Sequence, residues 1–350
     1  MGMYRPLNDS EIINPYDSNG NYTDEGRQLF KKGSSILQSK KKLGVVILSG
    51  GEGTRLGISY PKGLFEVEGA TLFEWHLKRL QALKEQYGTS IYLFIMTSES
   101  THKQVKDFFG SRSFNFIEKI DLFKQNSIEA LDIQSREKLY RNGKVVRNPV
   151  GNGDFFEAIQ KSKYMNEVEV FNVISVDNVM ANILDEVFVG AYYANNFEVL
   201  SKAVRALPKE SVGAFFKDGN CISIEEYSEP KNRGQGTDVF GNICNHLFSL
   251  EFVRRMGNQS LPLHEAHKKI QYTDKDGNLI KPKEPNGIKR EKFIFDSFAH
   301  TTRNGVICVP RHLEFSPLKN SLESVCDNSK TCSDSVKKFR IKSKMIEPAH

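Results

Sequence analysis

The chain has 350 residues, of which 39% are hydrophobic and 26% are charged, and its formal net charge is +6. These values are typical of a globular protein with a sizeable core, and they exclude a membrane span, because no run of about 18 uncharged apolar residues occurs. So small a charge over the whole length gives little support for a nucleic-acid partner, so we expect no nucleic acid and no membrane.

The N-terminus lacks the apolar core of a signal peptide, and the five cysteines show no C-x-x-C spacing. Both features predict a cytoplasmic protein with reduced thiols. We also expect a monomer.

The predicted elements begin with a polar segment, residues 1–42, which we interpret as a solvated helix or loose chain. Residues 43–48, 90–98 and 168–176 are continuous apolar runs, as found in strands that are buried on both faces. Residues 71–87 carry a helical stripe of apolar side chains between the first two runs. This order predicts an α/β fold with a doubly wound, mostly parallel, Rossmann-like sheet.

Shorter elements complete the prediction. Two helices are expected at residues 101–109 and 287–300, and two hairpins at residues 211–228 and 272–282, the first turning at Asp218-Gly219. The Ser- and Lys-rich tail is expected to hold one short helix. The predicted parts are, in chain order, an N-terminal segment 1–42, a main domain 43–312 and a short C-terminal appendage 313–350.

A glycine-rich loop, LSGGEGTRLGISYPKG at residues 48–63, follows the first predicted strand. Such a loop presents backbone N–H groups to an anion. Its spacing fits neither the dinucleotide pattern G-x-G-x-x-G, because glycine comes one place late at Gly57, nor a P-loop, because Lys62 precedes Gly63. Two cations, Arg55 and Lys62, flank the turn and suit a triphosphate whose leaving pyrophosphate must be stabilised.

The run L-x-G-G-x-G-T-R-L-G followed by P-K-G resembles the signature of sugar-nucleotide pyrophosphorylases. Because tyrosine precedes the P-K-G triplet, it resembles in particular the eukaryotic UDP-N-acetylglucosamine (UDP-N-acetylhexosamine) pyrophosphorylases, with Ser49 where that family usually has alanine. The resemblance implies that the backbone of three glycines, Gly50, Gly51 and Gly53, cradles the phosphates of UTP.

Two further segments resemble nucleotide-binding elements of that family. FKQNSIEALD at residues 123–132 implies that Gln125 reads the uracil edge, since an amide can pair with both a carbonyl and an N–H group. NPVGNGDFFEAI at residues 148–159 implies that Gly151 contacts the nucleotide and Asn152 the sugar. Asp154 replaces the second glycine of the family pattern, so we expect different local contacts there.

The predicted strand at residues 168–176 is followed by Asp177. A carboxylate at the carboxyl end of a strand lies where open α/β sheets bind their ligands. Asp177 is therefore the candidate ligand for Mg²⁺, which prefers carboxylate and phosphate oxygens. The alternative is that Asp177 only caps the next helix.

Three further segments resemble sugar-binding elements of the family: VGAFF, IEEYSEP and FGNICNHLF. The resemblance implies Gly213 in the first, Glu226 in the second and either Asn242 or Asn245 in the third. Asn245 stands at the position that the family uses. PNGIKREKFIFD implies Phe293 and Phe295 as pocket walls, and LEFSPLKN implies that Lys319 reaches the nucleotide phosphates. The H-x-x-H of HEAHKK lacks a third metal ligand, so we interpret it as a solvated helix face.

The resemblance runs from about Leu43 to Asn320 and implies transfer of a uridylyl group from UTP to N-acetylglucosamine 1-phosphate, giving UDP-N-acetylglucosamine and pyrophosphate. Arg55, Lys62 and Lys319 would be the catalytic residues, with Mg²⁺ as cofactor. Only residues 320–350 follow Lys319, a C-terminal region much shorter than the family's.

Three alternatives stay open. N-acetylgalactosamine or glucose 1-phosphate could replace the proposed sugar, since that choice depends on one or two polar groups. The protein could instead be a catalytically inactive sensor of nucleotide sugars, although binding alone does not need all four of Arg55, Lys62, Asp177 and Lys319. An NAD-dependent oxidoreductase is disfavoured by the glycine spacing.

Overall fold

The computed structural model describes residues 5–207, 210, 212–226, 239–322 and 327–343, and for residues 339–343 it describes the backbone alone. The helices are α1 Asp24–Leu37, α2 Leu72–Tyr87, α3 His102–Gly110, α4 Phe155–Ala158, α5 Glu186–Ala194, α6 Leu250–Met256, α7 Arg311–Glu314 and α8 Ser329–Ser343. Within these ranges no helix combines the length and apolar character that crossing a membrane requires.

A central sheet of ten strands, counted over the described residues, organises the fold. Its strands are β1 Arg5–Pro6, β2 Lys42–Leu48, β3 Ser90–Thr97, β4 Lys119–Lys124, β5 Val170–Ser175, β6 Val199–Arg205, β7 Ala214–Asp218, β8 Cys221–Glu225, β9 Phe240–Ser249 and β10 Asn304–Cys308. The main order is β1-β7-β9-β5-β2-β3-β4, and β6 joins β9 to β10. Strands β2 to β7 and β10 run in one direction, whereas β1, β8 and β9 run in the other, so the predicted mostly parallel sheet is confirmed.

The sheet is covered on both faces, as a doubly wound fold requires. Alternate residues of β2 point to opposite faces: Val45 and Ile47 pack with α1, α2 and α5, whereas Val46 and Leu48 pack with α4 and α6. Two hydrophobic cores therefore sandwich the strands. The continuous apolar runs in the sequence reflect this double burial.

Helix α2 begins and ends at residues that signal helix termini in the sequence. Thr71 and Glu74 form a capping box, with Glu74 N–H donating to Thr71 Oγ1 at 3.1 Å and Thr71 N–H donating to a Glu74 carboxylate oxygen at 2.7 Å. The helix ends at Gly88, whose φ of 67° is left-handed. These local signals lie in the sequence itself.

The N-terminal segment is better packed than expected. Leu29 and Leu37 of α1 are buried in the core, and α1 lies so close to α5 that a Cβ on Gly33 would stand 1.7 Å from the carbonyl oxygen of Glu186. A helix in residues 1–42, one of the two expectations, is confirmed, but its interpretation as solvated is wrong because one face is buried. Its lysines occupy the outer face, and they masked an amphipathic helix whose inner face is apolar.

Smaller strand pairs form outside the central sheet. They are Glu66–Val67 with Ala70–Thr71, Ser127–Glu129 with Arg147–Pro149, Tyr140–Arg141 with Lys144–Val145, Tyr272–Thr273 with Leu279–Ile280, and the three-stranded set His264–Lys268, Gly287–Glu291 and Leu131–Asp132. The hairpins expected at residues 211–228 and 272–282 are confirmed over their described parts, β7 with β8 and Tyr272–Thr273 with Leu279–Ile280.

Two helix predictions are wrong. The expected helix at residues 287–300 is a strand, Gly287–Glu291, followed by a 3-10 helix, Ile294–His300. The expected helix face around HEAHKK is the strand His264–Lys268, which pairs with Gly287–Glu291 in antiparallel register. Both stretches are stabilised by pairing with each other, a contact that local periodicity does not reveal. The predicted tail helix is confirmed as α8, whose Cys332 and Val336 are buried in the core.

Candidate active site

The candidate residues gather at one edge of the sheet. Strands β2, β3, β4 and β5 are parallel neighbours, so their carboxyl ends at Leu48, Thr97, Lys124 and Ser175 meet there. The glycine-rich loop follows β2, Gln125 follows β4, and Asp177 follows β5. This is the edge at which open α/β sheets bind ligands.

Three predicted nucleotide-binding residues contact one another. A Cβ on Gly50 would stand 1.7 Å from Nε2 of Gln125, so only glycine lets that side chain lie across the loop. Gln125 is buried, and its Oε1 accepts a hydrogen bond of 2.9 Å from the Gly151 N–H. Gly151 has a φ of 103°, and a Cβ there would stand 2.8 Å from the carbonyl oxygen of Lys292. The structure thus joins Gly50, Gln125 and Gly151 into one cluster.

Asp154 contributes a link that the family pattern does not predict. Its side chain is fully buried and accepts a hydrogen bond of 2.6 Å from the Asn126 N–H. Burial raises the pKa of Asp154, and the hydrogen bonds from Asn126 counteract this in part. Asp154 therefore ties the backbone beside Gln125 to the turn that begins at Gly151.

The other loop glycines have different reasons to be glycine. Around Gly51, no described atom lies within 4 Å of a Cβ position, so packing within the described chain does not require glycine there. A Cβ on Gly53 would stand 2.2 Å from the Ile58 side chain, so the turn itself requires glycine. Arg55 lies in a 3-10 turn, Thr54–Leu56, and is exposed. The structure does not join Arg55 to Lys62 or Asp177 by any hydrogen bond or ion pair between described residues.

Lys62 and Asp177 form the charged centre of the site. Lys62 Nζ lies 3.5 Å from Asp177 Oδ2, and the Ser175 hydroxyl donates to Asp177 Oδ1 at 2.6 Å. Burial raises the pKa of Asp177, but the Lys62 and Lys319 ammonium groups and the Ser175 hydroxyl lower it by more, so the pKa lies below its ordinary value. The carboxylate therefore remains charged at neutral pH.

Lys319 belongs to a segment that runs alongside Asp177. The Leu318 N–H donates to the Asp177 carbonyl oxygen at 2.9 Å, and Asn178 pairs with Pro317 as an isolated β-bridge. On the other side, the Lys319 N–H donates to the carbonyl oxygen of Asp327 at 2.7 Å. The predicted phosphate-binding lysine is thus held against the predicted metal ligand, although the sequence separates them widely.

The predicted sugar-binding residues fall into two groups. Gly213 lies against Glu226, since a Cβ there would stand 3.2 Å from Glu226 Oε2, and its carbonyl oxygen accepts a hydrogen bond of 2.8 Å from the Asn242 N–H. Asn245 is fully buried, and its amide pairs with the Asn172 side chain at 2.7 Å and the Asn182 carbonyl oxygen at 2.9 Å.

The burial of Asn245 bears directly on which asparagine is available to a sugar. Asn242 is only partly buried, whereas Asn245 has no exposed surface. The described geometry therefore favours Asn242, the other candidate, for direct contact and gives Asn245 a supporting place behind it. The stretch FGNICNHLF alone does not distinguish the two, because its period-2 pattern is broken by a bulge.

That bulge is a feature of the site that the sequence did not predict. Ser201 pairs with His246 and Ala203 with Asn242, so three residues of β9 face one residue of β6. Cys244 lies within the bulge with a φ of 51°, and its N–H donates to Asn242 Oδ1 at 2.9 Å. Bulges re-aim side chains beside active sites. The signal in the sequence is Asn242, because asparagine accepts such hydrogen bonds from the chain two residues on.

The pKa of the Cys244 thiol responds both to the charged centre and to a predicted sugar-binding residue. Burial raises the pKa of the Cys244 thiol to about 12, and the Asp177 and Glu226 carboxylates raise it while the Lys319 ammonium lowers it. Cys244 therefore lies within electrostatic range of Asp177 and Lys319 on one side and of Glu226 on the other.

The two predicted wall residues stack on each other. The ring centroids of Phe293 and Phe295 are 4.9 Å apart with an interplanar angle of 18°, and Phe295 is buried. Asn152 Oδ1 accepts a hydrogen bond of 2.9 Å from the Ile294 N–H, which places this pair beside the Gly151 turn. His264 contacts Phe293 and lies 3.0 Å from Asp296 through its Nε2 atom.

The residues present fit a Mg²⁺ ion that is bound partly by the protein and partly by substrate phosphates. Among the described residues no cluster of three or more His, Cys, Asp or Glu side chains could hold a metal by itself. Mg²⁺ usually binds one or two carboxylates together with substrate phosphates, and the ionised Asp177 supplies one carboxylate beside two lysines suited to phosphate. A metal here would depend on the nucleotide for its remaining ligands.

Comparisons with known proteins identify the family of this chain. Residues 6–349 match the model of the UTP--glucose-1-phosphate uridylyltransferase family. The chain is 48% identical to a probable UDP-N-acetylglucosamine pyrophosphorylase of Encephalitozoon cuniculi, over 97% of this chain and 98% of that protein. It is 34% identical to the UDP-N-acetylglucosamine pyrophosphorylase of Saccharomyces cerevisiae, over 83% of this chain and 67% of that protein.

Solved structures agree on the fold. A crystal structure from Entamoeba histolytica is 26% identical with a TM-score of 0.82, covering 97% of this chain and 89% of that one. The UDP-N-acetylglucosamine pyrophosphorylase of Trypanosoma brucei is 22% identical with a TM-score of 0.78, covering 98% and 76%. The family match spans nearly the whole chain, so this protein belongs to the UTP--glucose-1-phosphate uridylyltransferase family.

Proposed function

We propose that this uridylyltransferase uses UTP and N-acetylglucosamine 1-phosphate and produces UDP-N-acetylglucosamine and pyrophosphate. The observation that carries the proposal is the pairing of Lys62 with Asp177, with Lys319 held alongside and the Gln125 cluster at the same edge of the sheet. The choice of sugar is supported by the name of the relative that is 48% identical over nearly the whole of both chains.

The proposed reaction is a direct displacement at phosphorus. An oxygen of the sugar phosphate attacks the α-phosphorus of UTP and forms the new P–O bond. The bond from that phosphorus to the oxygen that bridges to the β-phosphorus breaks, and pyrophosphate leaves with the electron pair. No proton transfer and no covalent enzyme intermediate is needed, so the protein acts by positioning and by neutralising charge.

Each candidate residue has a place in this scheme. Arg55 and Lys62 would hold the triphosphate and stabilise the departing pyrophosphate, and Lys319 would neutralise the phosphates being joined. Gln125 and Gly151 would hold the uracil and the nucleotide. Glu226, Gly213 and Asn242 would bind the sugar hydroxyls. Asn152 and the stacked rings of Phe293 and Phe295 would form the rest of the sugar pocket.

Mg²⁺ is proposed as the cofactor, with Asp177 as its protein ligand. Bound there, it would draw negative charge away from the phosphate oxygens. Asp177→Asn should raise the Mg²⁺ concentration needed for half-maximal activity, measured by titrating Mg²⁺ at fixed UTP. An unchanged Mg²⁺ requirement in an otherwise slower variant would remove Asp177 as the ligand.

A cytoplasmic monomer is also proposed. The cytoplasmic assignment is supported by the cysteine spacing in the sequence. Cell fractionation tests the compartment, and light scattering of the purified protein tests the oligomeric state.

The experiment that tests the function is pyrophosphate release with UTP and Mg²⁺, run in parallel with the 1-phosphates of N-acetylglucosamine, N-acetylgalactosamine and glucose. Preferred release with N-acetylglucosamine 1-phosphate is the expected result. Preference for another sugar would keep the reaction and overturn the sugar assignment. Binding of UDP-N-acetylglucosamine without release from any of the three would favour the sensor.

A further inference from the structure

A fully buried lysine lies behind the site and takes no part in the proposed chemistry. The side chain of Lys202 on β6 has no exposed surface, yet its Nζ atom contacts an Asp185 carboxylate oxygen, lies 2.6 Å from Glu314 Oε2 and lies 3.1 Å from the Asn182 carbonyl oxygen. Burial lowers the pKa of Lys202, but the two carboxylates raise it by more, so its ammonium group stays charged. We call Lys202, Asp185 and Glu314 the buried triad.

The position of the triad follows from the bulge in the sheet. Lys202 is the single β6 residue that faces the three-residue bulge of β9, and its Nζ lies 4.9 Å from the centre of the Phe188 ring. The same carbonyl oxygen of Asn182 that receives the Lys202 ammonium also receives the Asn245 amide. The bulge that brings Asn242 and Cys244 to the site is thus fixed from behind by the triad.

The triad connects the two segments that carry the charged centre. Asp185 ends the segment that begins at Asp177, and Glu314 begins the segment that ends at Lys319. Between these ends, Asn178 joins the two segments directly: its Nδ2 donates to the Glu314 carbonyl oxygen at 2.8 Å, and its Oδ1 accepts from the Ser316 N–H at 2.9 Å. Asp177 and Asn178 therefore hold the first segment against residues 314–318 of the second, and Lys202 joins Asp185 of the first to Glu314 of the second.

We propose that Lys202 is a positioning residue, which through Asp185 and Glu314 sets the placement of Asp177 relative to Lys319. This inference deepens the proposed function and rests on it. Burial raises the pKa of Glu314 to about 7, although the Lys202 ammonium lowers it. Removing that ammonium would take from Asp185 and Glu314 the shared partner that joins their two segments, and losing one partner of a buried ion pair is strongly unfavourable. A shift of about 1 Å at reacting groups can cost about 100-fold in rate.

The test compares Lys202→Met with Glu198→Gln. Glu198 directly precedes the amino end of β6, so it lies at the end of the sheet opposite to the site. Its carboxylate is buried and is held by Arg255, Arg303 and Thr301, so it is a matched charged residue remote from the site. We expect Lys202→Met to lower kcat about 100-fold with the KM for UTP changed less than about threefold, whereas Glu198→Gln should keep kcat despite losing stability. Equal kcat in Lys202→Met and wild type would overturn the inference.

A second readout needs no substrate. Hydrogen-exchange mass spectrometry of a peptide covering residues 314–319 reports the Ser316 and Leu318 amides that bond to Asn178 and Asp177. Exchange there should accelerate in Lys202→Met and stay at the wild-type rate in Glu198→Gln. If wild type released no pyrophosphate, the proposed function would fail, and this exchange rate alone would decide the inference.

Glu314→Gln covers the case in which Lys202→Met does not fold. It removes the ionisable carboxyl group on the Lys319 side of the triad and leaves the Lys202–Asp185 ion pair in place. We expect the same direction with a smaller effect, about tenfold in kcat, with faster exchange of the same peptide. Wild-type kcat together with wild-type exchange in Glu314→Gln would contradict the positioning role.

Discussion

The Lys62 ammonium lies 3.5 Å from Asp177 Oδ2, and the two side chains keep only 13% and 15% of their surface exposed. Such a pair is screened little by salt, and the Lys62 ammonium helps to hold the pKa of Asp177 below its ordinary value. Lys62 follows β2 and Asp177 follows β5, and these strands are parallel neighbours, so the sheet holds the two charges together. The pair presents a cation for phosphate and an anion for Mg²⁺ within one small region.

The first prediction concerns the cation of that pair. Lys62→Ala should lower kcat about 100-fold or more, because a preorganised charge at the leaving pyrophosphate is lost. Steady-state pyrophosphate release measures this, and Lys31→Ala, an exposed lysine on α1, is the matched control that should keep normal turnover. Near-normal kcat in Lys62→Ala would refute the assignment of this lysine.

The second prediction separates two neighbouring glycines. Gly50→Ala should raise the KM for UTP about tenfold, because its Cβ would stand 1.7 Å from Gln125 Nε2 and displace the amide proposed to read uracil. Gly51→Ala meets no described atom within 4 Å, so any rise in KM there reports the ligand rather than the protein.

Gly110→Ala serves as the control for both glycine variants. It lies in α3, and no described atom is within 4 Å of its Cβ position either, so it should leave KM unchanged. An unchanged KM in Gly50→Ala, measured at saturating sugar phosphate, would show that Gln125 does not contribute to UTP binding.

The sheet and its ligand edge could be predicted from the sequence because their signals are local or nearly so. Apolar runs such as residues 43–48 give doubly buried strands, and the capping box at Thr71 fixes the start of α2. The relation of Asp177 to the end of a strand then placed it at the binding edge without any contact information.

The rest depended on contacts between distant residues. The strand Gly287–Glu291 forms because His264–Lys268 pairs with it, and neither stretch shows a clear strand period alone. The bulge at Cys244 arises from a register shift between β6 and β9; Asn242 indicates a local turn of the chain there, but the register depends on the neighbouring strand. For the same reason the sequence did not distinguish Asn242 from Asn245.

The third prediction uses that distinction. Asn242→Ala should raise the KM for the sugar 1-phosphate about tenfold, the effect of losing roughly one hydrogen bond to a substrate hydroxyl, with little change in stability. Asn245→Ala should instead lower the free energy of unfolding by about 1–3 kcal/mol, because the buried Asn172 side chain and the Asn182 carbonyl oxygen each lose a hydrogen bond. Kinetics and urea denaturation of both variants separate these outcomes. The opposite pattern would restore Asn245 as the sugar ligand.

The fourth prediction concerns pH and the network around Glu198. Burial raises the pKa of Glu198, but hydrogen bonds from Arg255, Thr301 and Arg303 lower it by more, giving a pKa of about 2. Because the folded pKa lies below the unfolded value, the charged carboxylate stabilises the fold above the unfolded pKa, and this contribution is lost as the pH falls from about 4.5 towards 2. A shift of this size corresponds to roughly 3 kcal/mol.

Urea denaturation of wild type and Glu198→Gln at pH 7, 4 and 3 measures this contribution. The difference in free energy of unfolding should be largest at pH 7 and should shrink steadily at the two lower values, because below about pH 4.5 the carboxylate is protonated in the unfolded chain while it stays charged in the folded one, so acid favours unfolding of wild type and not of the variant. Glu25→Gln, at an exposed position on α1, should differ from wild type by no more than about 0.5 kcal/mol at each pH. A difference for Glu198→Gln that stayed constant from pH 7 to pH 3 would show that the stabilisation comes from packing and not from the charge, since packing does not titrate.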